Sequence, residues 1–418
     1  MTPDPSNNAI DVYVDLESTP VLAGQAFFTR RKSGISTTFV YSAAYLASDG
    51  YPIDPELPLV SGAQHVSGLV RAFADGAPDR WGRNLIDKAE RAAARQEHRP
   101  PRQLDSVDYL LGVSDRARQG ALRFSESGTP EFYGHSGDTP KLIELPTLLH
   151  AADQVRGRGE TVDAVKQLLD TGSTGLGGAR PKASVRLDDG ALAIAKFPHS
   201  SDQWDVMAWE ALSLDVMART RITVPTYRLV AVDARSILIL TRFDRTADRA
   251  RKGYISAMTG CRADDGQHRD YADIADSLLD LSESPRADLS QLFERVCVSV
   301  ALGNTDDHLR NHGFLRGDAG WRLSPVFDVN PNPDLYASRS TSIMGADAFP
   351  EEVEALRDFA LDVELDWPTA RDILQRVVQA AQQWRVLAQR RGIRRSEQEM
   401  MAPTLEARIA ALSELASA

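Results

Sequence analysis

Residues 302–315 read LGNTDDHLRNHGFL, and this polar stretch decides how the rest of the chain is interpreted. Asp306 and Asn311 stand five positions apart, which is the D-x-x-x-x-N spacing of a phosphotransfer catalytic loop. In such a loop the Asp accepts or orients the proton of the acceptor hydroxyl, and the Asn supplies a neutral oxygen to Mg²⁺. We therefore take Asp306 as the candidate catalytic residue and Asn311 as a candidate metal ligand.

The residues that follow supply a second candidate ligand. GFLRGDAGWRLSPVFD, residues 313–328, predicts a hairpin that turns at Gly317 and Asp318 and brings Asp328 back beside the loop. Mg²⁺ prefers hard oxygen donors and keeps several waters. One Asp and one Asn, together with nucleotide phosphates, are therefore sufficient, and Asp328 is the second predicted metal ligand.

Two other interpretations of the polar stretch stay open. His308 and His312 stand four apart, as in a helical zinc pair, but no Glu follows His308 and no third ligand is evident. The polar side chains could also serve only to hold an irregular loop together. Asp307 could be a carboxylate that caps the loop, and it is assigned no other role.

A glycine cluster lies far ahead of this loop. Gly172, Gly175, Gly177 and Gly178 fall within seven residues and precede two strand-like runs, 182–187 and 191–197, joined by Asp-Asp-Gly. Glycines let backbone amides approach phosphates without obstruction by a Cβ atom. The cluster does not match the P-loop, which would need Lys in place of Gly178, nor the dinucleotide fingerprint. An ordinary flexible linker is the alternative.

A lysine and a glutamate follow the cluster. Lys196 ends the second strand-like run in AIAKF, and Glu210 lies on the next predicted helix, 203–219. A lysine on a half-buried strand must reach solvent or pair with a charge. In a kinase small lobe the pair has a task, because the strand Lys binds the α- and β-phosphates and the helix Glu fixes it. The alternative is a packed stem whose ammonium reaches solvent.

The run ILILTRFDR, residues 237–245, changes from an apolar strand to charged residues. Adenine needs apolar walls and backbone hydrogen-bonding groups, which a strand entering a linker provides. We therefore expect Thr241, Arg242 and Phe243 near the base. The alternative is a buried edge strand that ends in a salt bridge.

Composition limits the classes of protein that remain. The 418 residues are 42% hydrophobic and 26% charged, which indicates a globular chain with more than one core, and the net charge of −11 disfavours a large nonspecific nucleic-acid surface. Two cysteines, Cys261 and Cys297, cannot form a disulfide framework or a zinc cluster. The first residues lack a signal-peptide pattern, and no run approaches the roughly 20 apolar residues of a membrane span. We expect a cytoplasmic protein with no membrane contact.

Several motifs together resemble the HipA family of bacterial toxin kinases. They are GGARPKASV (177–185), AIAKF (193–197), LTRFDR (240–245), GNTDDHLRNHGFL (303–315) and LSPVFDVNP (323–331). FADGAPDRWGRNLI, residues 73–86, is similar to the N-terminal subdomain of that family. The resemblance covers essentially the whole chain, and the combination of motifs is what makes it specific.

The resemblance implies an α+β fold: a two-lobed, protein-kinase-like structure with a small β-rich lobe, a large α-helical lobe and an N-terminal β-containing subdomain. We expect the subdomain in residues 1–125, the small lobe in 126–241 and the large lobe in 242–418. The implied activity is an ATP- and Mg²⁺-dependent serine/threonine protein kinase. Asp306 matches the catalytic Asp, Asn311 and Asp328 the magnesium ligands, Lys196 the ATP-binding lysine and Lys182 a second basic position near the nucleotide. The candidate nucleotide-binding residues are thus Gly175, Gly177, Gly178, Ala179, Lys182, Lys196, Glu210, Thr241, Arg242, Phe243 and His308.

The resemblance also implies partners. Family members are usually toxins held by a helix-turn-helix antitoxin of the HipB type, which ties the complex to operator DNA, and aminoacyl-tRNA synthetases are among the known protein substrates. This chain departs at Gly177, where some relatives carry a regulatory autophosphorylated serine, so Ser173 or Thr174 could take that part. The alternatives are a small-molecule phosphotransferase and a non-catalytic, ATP-sensing partner of a DNA-bound repressor.

Overall fold

A computed structural model of the chain describes residues 9–32, 34–129, 131–134, 139–156, 162–170 and 180–418. These residues form two compact units, which we call unit 1 (Met1–Ser200 with Thr241–Ile255) and unit 2 (Ser201–Leu240 with Ser256–Ala418). None of the helices in the described residues is both long and apolar enough to span a membrane. The division into three domains stays a prediction.

The regular elements are numbered in chain order. The strands are β1 (Ile10–Leu16), β2 (Thr19–Arg31), β3 (Gly34–Tyr41), β4 (Ala63–Ser67), β5 (Leu122–Glu126), β6 (Lys182–Arg186), β7 (Leu192–Lys196), β8 (Tyr227–Val232), β9 (Arg235–Thr241), β10 (Tyr254–Ser256), β11 (Arg269–Asp270), β12 (Gly313–Arg316), β13 (Trp321–Leu323) and β14 (Thr341–Ser342). The helices are α1 (Ala43–Leu46), α2 (Arg71–Asp75), α3 (Arg80–Gln96), α4 (Ser106–Leu111), α5 (Leu145–Arg156), α6 (Val162–Asp170), α7 (Val206–Met217), α8 (Ala257–Gly260), α9 (Tyr271–Leu281), α10 (Pro285–Leu302), α11 (Glu351–Glu354), α12 (Leu356–Asp362), α13 (Trp367–Ala381), α14 (Trp384–Arg390) and α15 (Arg395–Ser417). Two short 3₁₀ helices span Leu142–Glu144 and Leu309–Asn311.

Unit 1 contains a five-stranded antiparallel sheet with the strand order β4-β3-β2-β1-β5. The sequence of residues 10–16, IDVYVDL, alternates in the way that predicts a strand, and this prediction is confirmed, because Ile10, Val12 and Val14 are buried in the core. Strand β2 was not predicted, and it pairs with both β1 and β3. At Gly24 on β2, a Cβ atom would lie only 2.1 Å from the carbonyl oxygen of Val40, so only glycine fits at this approach of two strands.

The predicted hairpin of unit 1 is confirmed. Strands β6 and β7 pair antiparallel, with Lys182 opposite Lys196. Gly190 closes the turn with a φ of +84°, a conformation that L-residues with a side chain seldom adopt. The hairpin therefore sets two lysines side by side at its open end.

Unit 2 is mainly helical. Helix α7 is buried almost all round, and α10 packs against α9, α13 and α15 in the core. Helix α10 begins with Pro285 in its first turn, where a missing N–H costs nothing. It ends at Gly303, whose φ of +65° is the left-handed C-cap conformation. Gly303 is therefore both the end of the main core helix and the first residue of the polar loop.

Candidate active site

The polar loop of unit 2, residues 303–312, starts from a crowded position. A Cβ atom at Gly303 would lie 3.2 Å from the side chains of Thr404 and Arg408 and 3.3 Å from the carbonyl oxygen of Asn332. Glycine at the helix cap thus lets the loop leave the core between α15 and the segment that follows Asp328. This placement fixes the first residue of the candidate catalytic loop.

Asp306 is exposed, whereas Asn311 is buried at the end of the 3₁₀ helix. The Nδ2 atom of Asn311 donates to the main-chain carbonyl of Asp306 at 2.9 Å. With its nitrogen engaged there, the amide of Asn311 has its oxygen as the remaining donor for a cation. The five-residue spacing therefore closes a small turn that joins both predicted residues.

The charges around Asp306 shift its protonation equilibrium. Partial burial of the carboxyl group raises the pKa of Asp306, the charge of His308 opposes the rise, and the neighbouring Asp328 carboxylate adds to it. The Ser340 hydroxyl lies 3.5 Å from Asp306 Oδ1, at the outer limit of hydrogen bonding. The structure thus brings Asp306, His308, Asn311 and Asp328 together in unit 2.

Asp328 reaches this position through the predicted hairpin, which is confirmed as β12 and β13. Its φ of +61° is unusual for a residue with a side chain, and such strain concentrates at functional sites. Asn330 donates from Nδ2 to Asp328 Oδ1 at 3.4 Å, and its main-chain N–H donates to Asn304 Oδ1 at 3.2 Å. The Oδ1 atom of Asn330 is buried with no hydrogen-bond partner among the described residues.

These donors fit a hard divalent cation. They are carboxylate and amide oxygens, and the mutual repulsion of Asp306 and Asp328 is what a cation would relieve. Within the described part of the chain, no group of three or more His, Cys, Asp or Glu side chains is arranged to hold a metal ion. The oxygen atoms of Asn311 and Asp328 are of the kind that Mg²⁺ takes when it shares its coordination with phosphates and water.

The predicted lysines of unit 1 are buried. Lys182 Nζ lies 2.7 Å from Asp79 Oδ2, and its side chain is 2% exposed. Asp79 also caps helix α3, because its Oδ1 accepts the Gly82 N–H at 2.7 Å. The indole N–H of Trp81 donates to the carbonyl oxygen of Lys182 at 3.3 Å. Lys182 therefore joins strand β6 to the start of α3, a contact over a hundred residues in sequence that no local pattern indicates.

Arg242 has a similar internal role. Its Nε and Nη2 atoms donate to the Asp244 carboxylate at 2.8 and 2.5 Å, and Nη1 and Nη2 donate to the carbonyl oxygens of Ala117 and Arg118 at 2.6 and 3.1 Å. Asp244 further accepts the Gly120 N–H at 2.8 Å. The guanidinium of Arg242 thus fastens the linker to residues 117–120 within unit 1.

The other sequence-predicted residues are placed as follows. Thr241 and Phe243 are partly buried, and the Phe243 ring centroid lies 6.4 Å from that of Tyr254. Lys196 is buried in unit 1, and Glu210 is fully buried on α7 in unit 2. Gly175, Gly177, Gly178 and Ala179 lie outside the described residues. The roles of all these residues in nucleotide binding stay predictions.

Sequence reasoning passed over Asp307, which is buried directly beside Asp306. It also passed over Asn330 and Ser340, which contact Asp328 and Asp306. The only signal for Asp307 in the sequence is the doubled Asp, and that pattern does not say which of the two carboxylates faces inward.

Residues 174–385, just over half of the chain, match the family model of the HipA-like C-terminal domain. A Haemophilus influenzae protein named "Putative kinase" is 26% identical over 147 residues, which are 31% of this chain and 43% of that protein. "Putative kinase Y4mE" of Sinorhizobium fredii is 22% identical over 227 residues, 47% of this chain and 52% of that protein. The matched segments thus span about half, or less, of these relatives.

One solved structure matches almost throughout. A chain of the Shewanella oneidensis MR-1 complex of the toxin–antitoxin proteins HipA and HipB with operator DNA superposes with a TM-score of 0.63, covering 97% of both chains at 14% identity. This likeness shows the fold. The predicted α+β class, with a two-lobed, protein-kinase-like structure, is confirmed.

Proposed function

The chain belongs to the HipA family, and from that membership we propose that it is an ATP- and Mg²⁺-dependent serine/threonine protein kinase, the toxin of a toxin–antitoxin pair. The observation that carries the proposal is the grouping of Asp306, Asn311 and Asp328 in unit 2. An exposed carboxylate with a raised pKa stands there beside oxygen donors suited to Mg²⁺. These are the parts that phosphoryl transfer needs, since its catalysis is mainly positioning and charge stabilisation.

The residues have separate tasks in this proposal. Asp306 orients the acceptor hydroxyl and accepts its proton, for which an exposed carboxylate is required. Asn311 and Asp328 would hold the cation. Mg²⁺ and ATP, when bound, supply the phosphoryl group and neutralise its charge. The hydrogen bond from the Asn311 side chain to the main-chain carbonyl of Asp306 connects the proposed base to the proposed metal ligand.

Nucleotide binding is assigned to candidates in both units. In unit 1 they are Lys182, Lys196, Thr241, Arg242 and Phe243, together with the glycines and Ala179; in unit 2 they are Glu210 and His308. In unit 1, the glycines and lysines are the groups proposed to bind nucleotide phosphate, because backbone amides and ammonium groups both attract anions. Ser173 or Thr174 is the proposed site of self-phosphorylation, since Gly177 offers no hydroxyl.

The proposed partners follow from the family. We propose a helix-turn-helix antitoxin of the HipB type and operator DNA bound mainly through it, consistent with a net charge of −11 that disfavours broad nucleic-acid contact by this chain. An aminoacyl-tRNA synthetase is the proposed class of protein substrate. We place the protein in the cytoplasm, where thiols such as those of Cys261 and Cys297 stay reduced.

The test is transfer of labelled phosphate from ATP with Mg²⁺ to protein acceptors. Asp306→Asn should lower the rate by about 10³-fold or more while nucleotide affinity, measured by calorimetry, stays within about twofold. Asp328→Asn should instead weaken Mg-ATP binding. Asp318→Asn, at the exposed turn of the β12–β13 hairpin, is the matched control and should behave as wild type.

Three outcomes separate the alternatives. Full activity of Asp306→Asn contradicts the catalytic assignment. Transfer to small molecules but not to protein favours a small-molecule phosphotransferase. Antitoxin binding with no transfer to any acceptor favours a non-catalytic, ATP-sensing partner of a repressor.

A further inference from the structure

Asp307 directly follows the proposed catalytic residue, and the two differ in burial. Asp306 is exposed, whereas Asp307 is buried, with only 9% of its side chain exposed. A buried carboxylate needs hydrogen bonds or an opposite charge to remain in a protein interior. The partners of Asp307 therefore show what its burial achieves.

Three side chains surround the Asp307 carboxylate. Tyr271 Oη donates to Oδ2 at 2.6 Å, and Ser299 Oγ lies 3.1 Å from the same oxygen. His312 Nε2 lies 3.1 Å from Oδ1. Tyr271 is the first residue of α9 and Ser299 lies near the end of α10, so two core helices hold one loop residue.

These partners keep Asp307 ionised. Burial acts to raise the pKa of Asp307, but the charge of His312, the hydrogen bond from Tyr271 and the charge of Arg339 outweigh it and leave the pKa well below its usual range. Burial and the Asp307 charge hold the pKa of Tyr271 far above its usual range, so its hydroxyl remains a donor. The Tyr271 hydroxyl is thus a hydrogen-bond donor to a carboxylate.

The loop is also fastened from its other side. Thr341 Oγ1 donates to the carbonyl oxygen of Asp307 at 2.7 Å, and the Ser340 N–H donates to the carbonyl oxygen of Thr305 at 2.8 Å. Arg339 Nη2 donates to Ser299 Oγ at 2.8 Å and to the carbonyl oxygen of Asn304 at 3.1 Å. Residues 304–307 therefore lie between the α9–α10 core and the segment 339–341.

We propose that Asp307 is a positioning residue for phosphoryl transfer: its buried carboxylate, held by Tyr271 and His312, fixes the loop so that Asp306 faces outward at the reacting hydroxyl. This inference rests on the proposed function. Reactant groups must be held closely to reacting geometry, and a small displacement of a catalytic group lowers the rate steeply. Residues 304–307 lie outside any helix or strand, and the side-chain contacts of Asp307 add to the main-chain hydrogen bonds that hold them.

The chain offers a matched pair of variants for the test. Tyr271→Phe removes the hydroxyl that donates to Asp307 and keeps the ring. Tyr227→Phe removes another 2.6 Å hydrogen bond from a tyrosine to an aspartate, Asp215, elsewhere in unit 2. We expect Tyr271→Phe to lower kcat roughly tenfold, the order expected for losing one hydrogen bond to a charged group, with KM for ATP within twofold. Tyr227→Phe should leave both constants unchanged at a similar loss of stability.

Hydrogen exchange supplies a readout that does not depend on activity. In Tyr271→Phe the amides of residues 304–311 should exchange faster, at least several-fold, while the same amides in Tyr227→Phe exchange as in wild type. If the two variants change kcat and exchange equally, the Tyr271 contact is only structural and the proposal is wrong. If wild-type protein transfers no phosphate, the proposed function fails, and the exchange comparison alone decides whether Asp307 positions the loop.

Discussion

The loop of residues 303–312 in unit 2 and the linker of residues 241–245 in unit 1 look alike in sequence, since each places charged residues after an apolar element. Each also contains a buried aspartate, Asp307 or Asp244. Burial acts to raise the pKa of both, and neighbouring charges, from His312 and Arg339 in one case and from Arg242 and Arg245 in the other, bring it well below the usual range. The difference lies in what the burial achieves. In the loop it leaves another carboxylate, Asp306, facing solvent, whereas in the linker it engages Arg242, a residue predicted to face a ligand.

The comparison shows that a polar motif does not reveal which of its side chains are available to a ligand. That depends on partners supplied from far along the chain. For Arg242 they are the carbonyl oxygens of Ala117 and Arg118, and for Asp307 they include Tyr271. A buried side chain whose hydrogen bonds are made within the protein stabilises the fold, whereas an exposed side chain such as that of Asp306 is available to a substrate.

The largest effect on stability is expected from removing the hydrogen bonds of Arg242 in the linker. Arg242→Met keeps an apolar stem but removes the donors to Asp244 and to two buried carbonyl groups. We expect the free energy of unfolding to fall by about 3 to 4 kcal/mol, because buried acceptors lose their partners. Urea unfolding measures it, and Arg249→Met, at an exposed arginine of the same segment, should change stability by less than about 0.5 kcal/mol.

The Arg242→Met variant also tests whether Arg242 binds the nucleotide. At a temperature where Arg242→Met is folded, we expect its affinity for ATP to stay within a few-fold of wild type. Unchanged stability together with a large loss of ATP affinity would show that the guanidinium serves the nucleotide, as the sequence predicted, and that the linker resembles the loop after all.

The next largest effect is on the pH dependence of stability and concerns Asp54, a buried carboxyl group that accepts hydrogen bonds from backbone amides. Its pKa is raised, whereas the pKa of Asp244 is lowered. Asp54 accepts the N–H groups of Glu56 and Ala72, both at 2.8 Å, and burial raises its pKa to about 6. The folded protein keeps this proton up to about pH 6, and the unfolded chain only up to about pH 4. The resulting stabilisation is fully present below pH 4 and is lost as the pH rises through 6.

The measurement compares wild type with Asp54→Asn, which does not titrate. The difference in their free energies of unfolding should decline by about 2 to 3 kcal/mol between pH 4 and pH 7, since one pKa unit corresponds to about 1.4 kcal/mol. The exposed Asp49→Asn should show no such trend.

For Asp244, whose pKa is lowered, the stabilisation is present above pH 4 and is lost on acidification. Equal trends for Asp54 and Asp244 would show that the guanidinium groups around Asp244 do not determine its behaviour.

Much of the fold follows from local pattern. The alternation of residues 10–16, the Asp-Gly turn of β6 and β7 and the helical periodicity of residues 271–281 and 288–302 predicted elements that the structure contains. Strand β2 was missed, because its burial alternates only in part and a glycine interrupts it. Helix α5, which follows the Ser-, Gly- and Pro-rich residues 125–140, was also not predicted.

Less of the site could be read from sequence. The spacing of Asp306 and Asn311 and the return of Asp328 were visible, since each depends on short-range geometry. The pairing of Lys182 with Asp79 joins residues 103 apart in sequence and has no local signature. The sequence also could not predict which of the adjacent Asp306 and Asp307 faces solvent, because the two side chains are chemically identical.

The smallest effect concerns two adjacent hydroxyl groups that contact the two aspartates of the loop. Thr341 Oγ1 donates to the carbonyl oxygen of Asp307 at 2.7 Å and is buried, whereas Ser340 Oγ, on an exposed residue, lies 3.5 Å from Asp306 Oδ1. A hydrogen bond at 3.5 Å is weak, and one at 2.7 Å in the interior is close to ideal. We therefore expect Ser340→Ala to lower kcat about twofold at most, and Thr341→Val to lower it about fivefold, with phosphate transfer as the assay. A loss in Ser340→Ala as large as that in Asp306→Asn would mean that the exposed carboxylate is held in place from the solvent side, so that the buried Asp307 and its partners would not be what directs it.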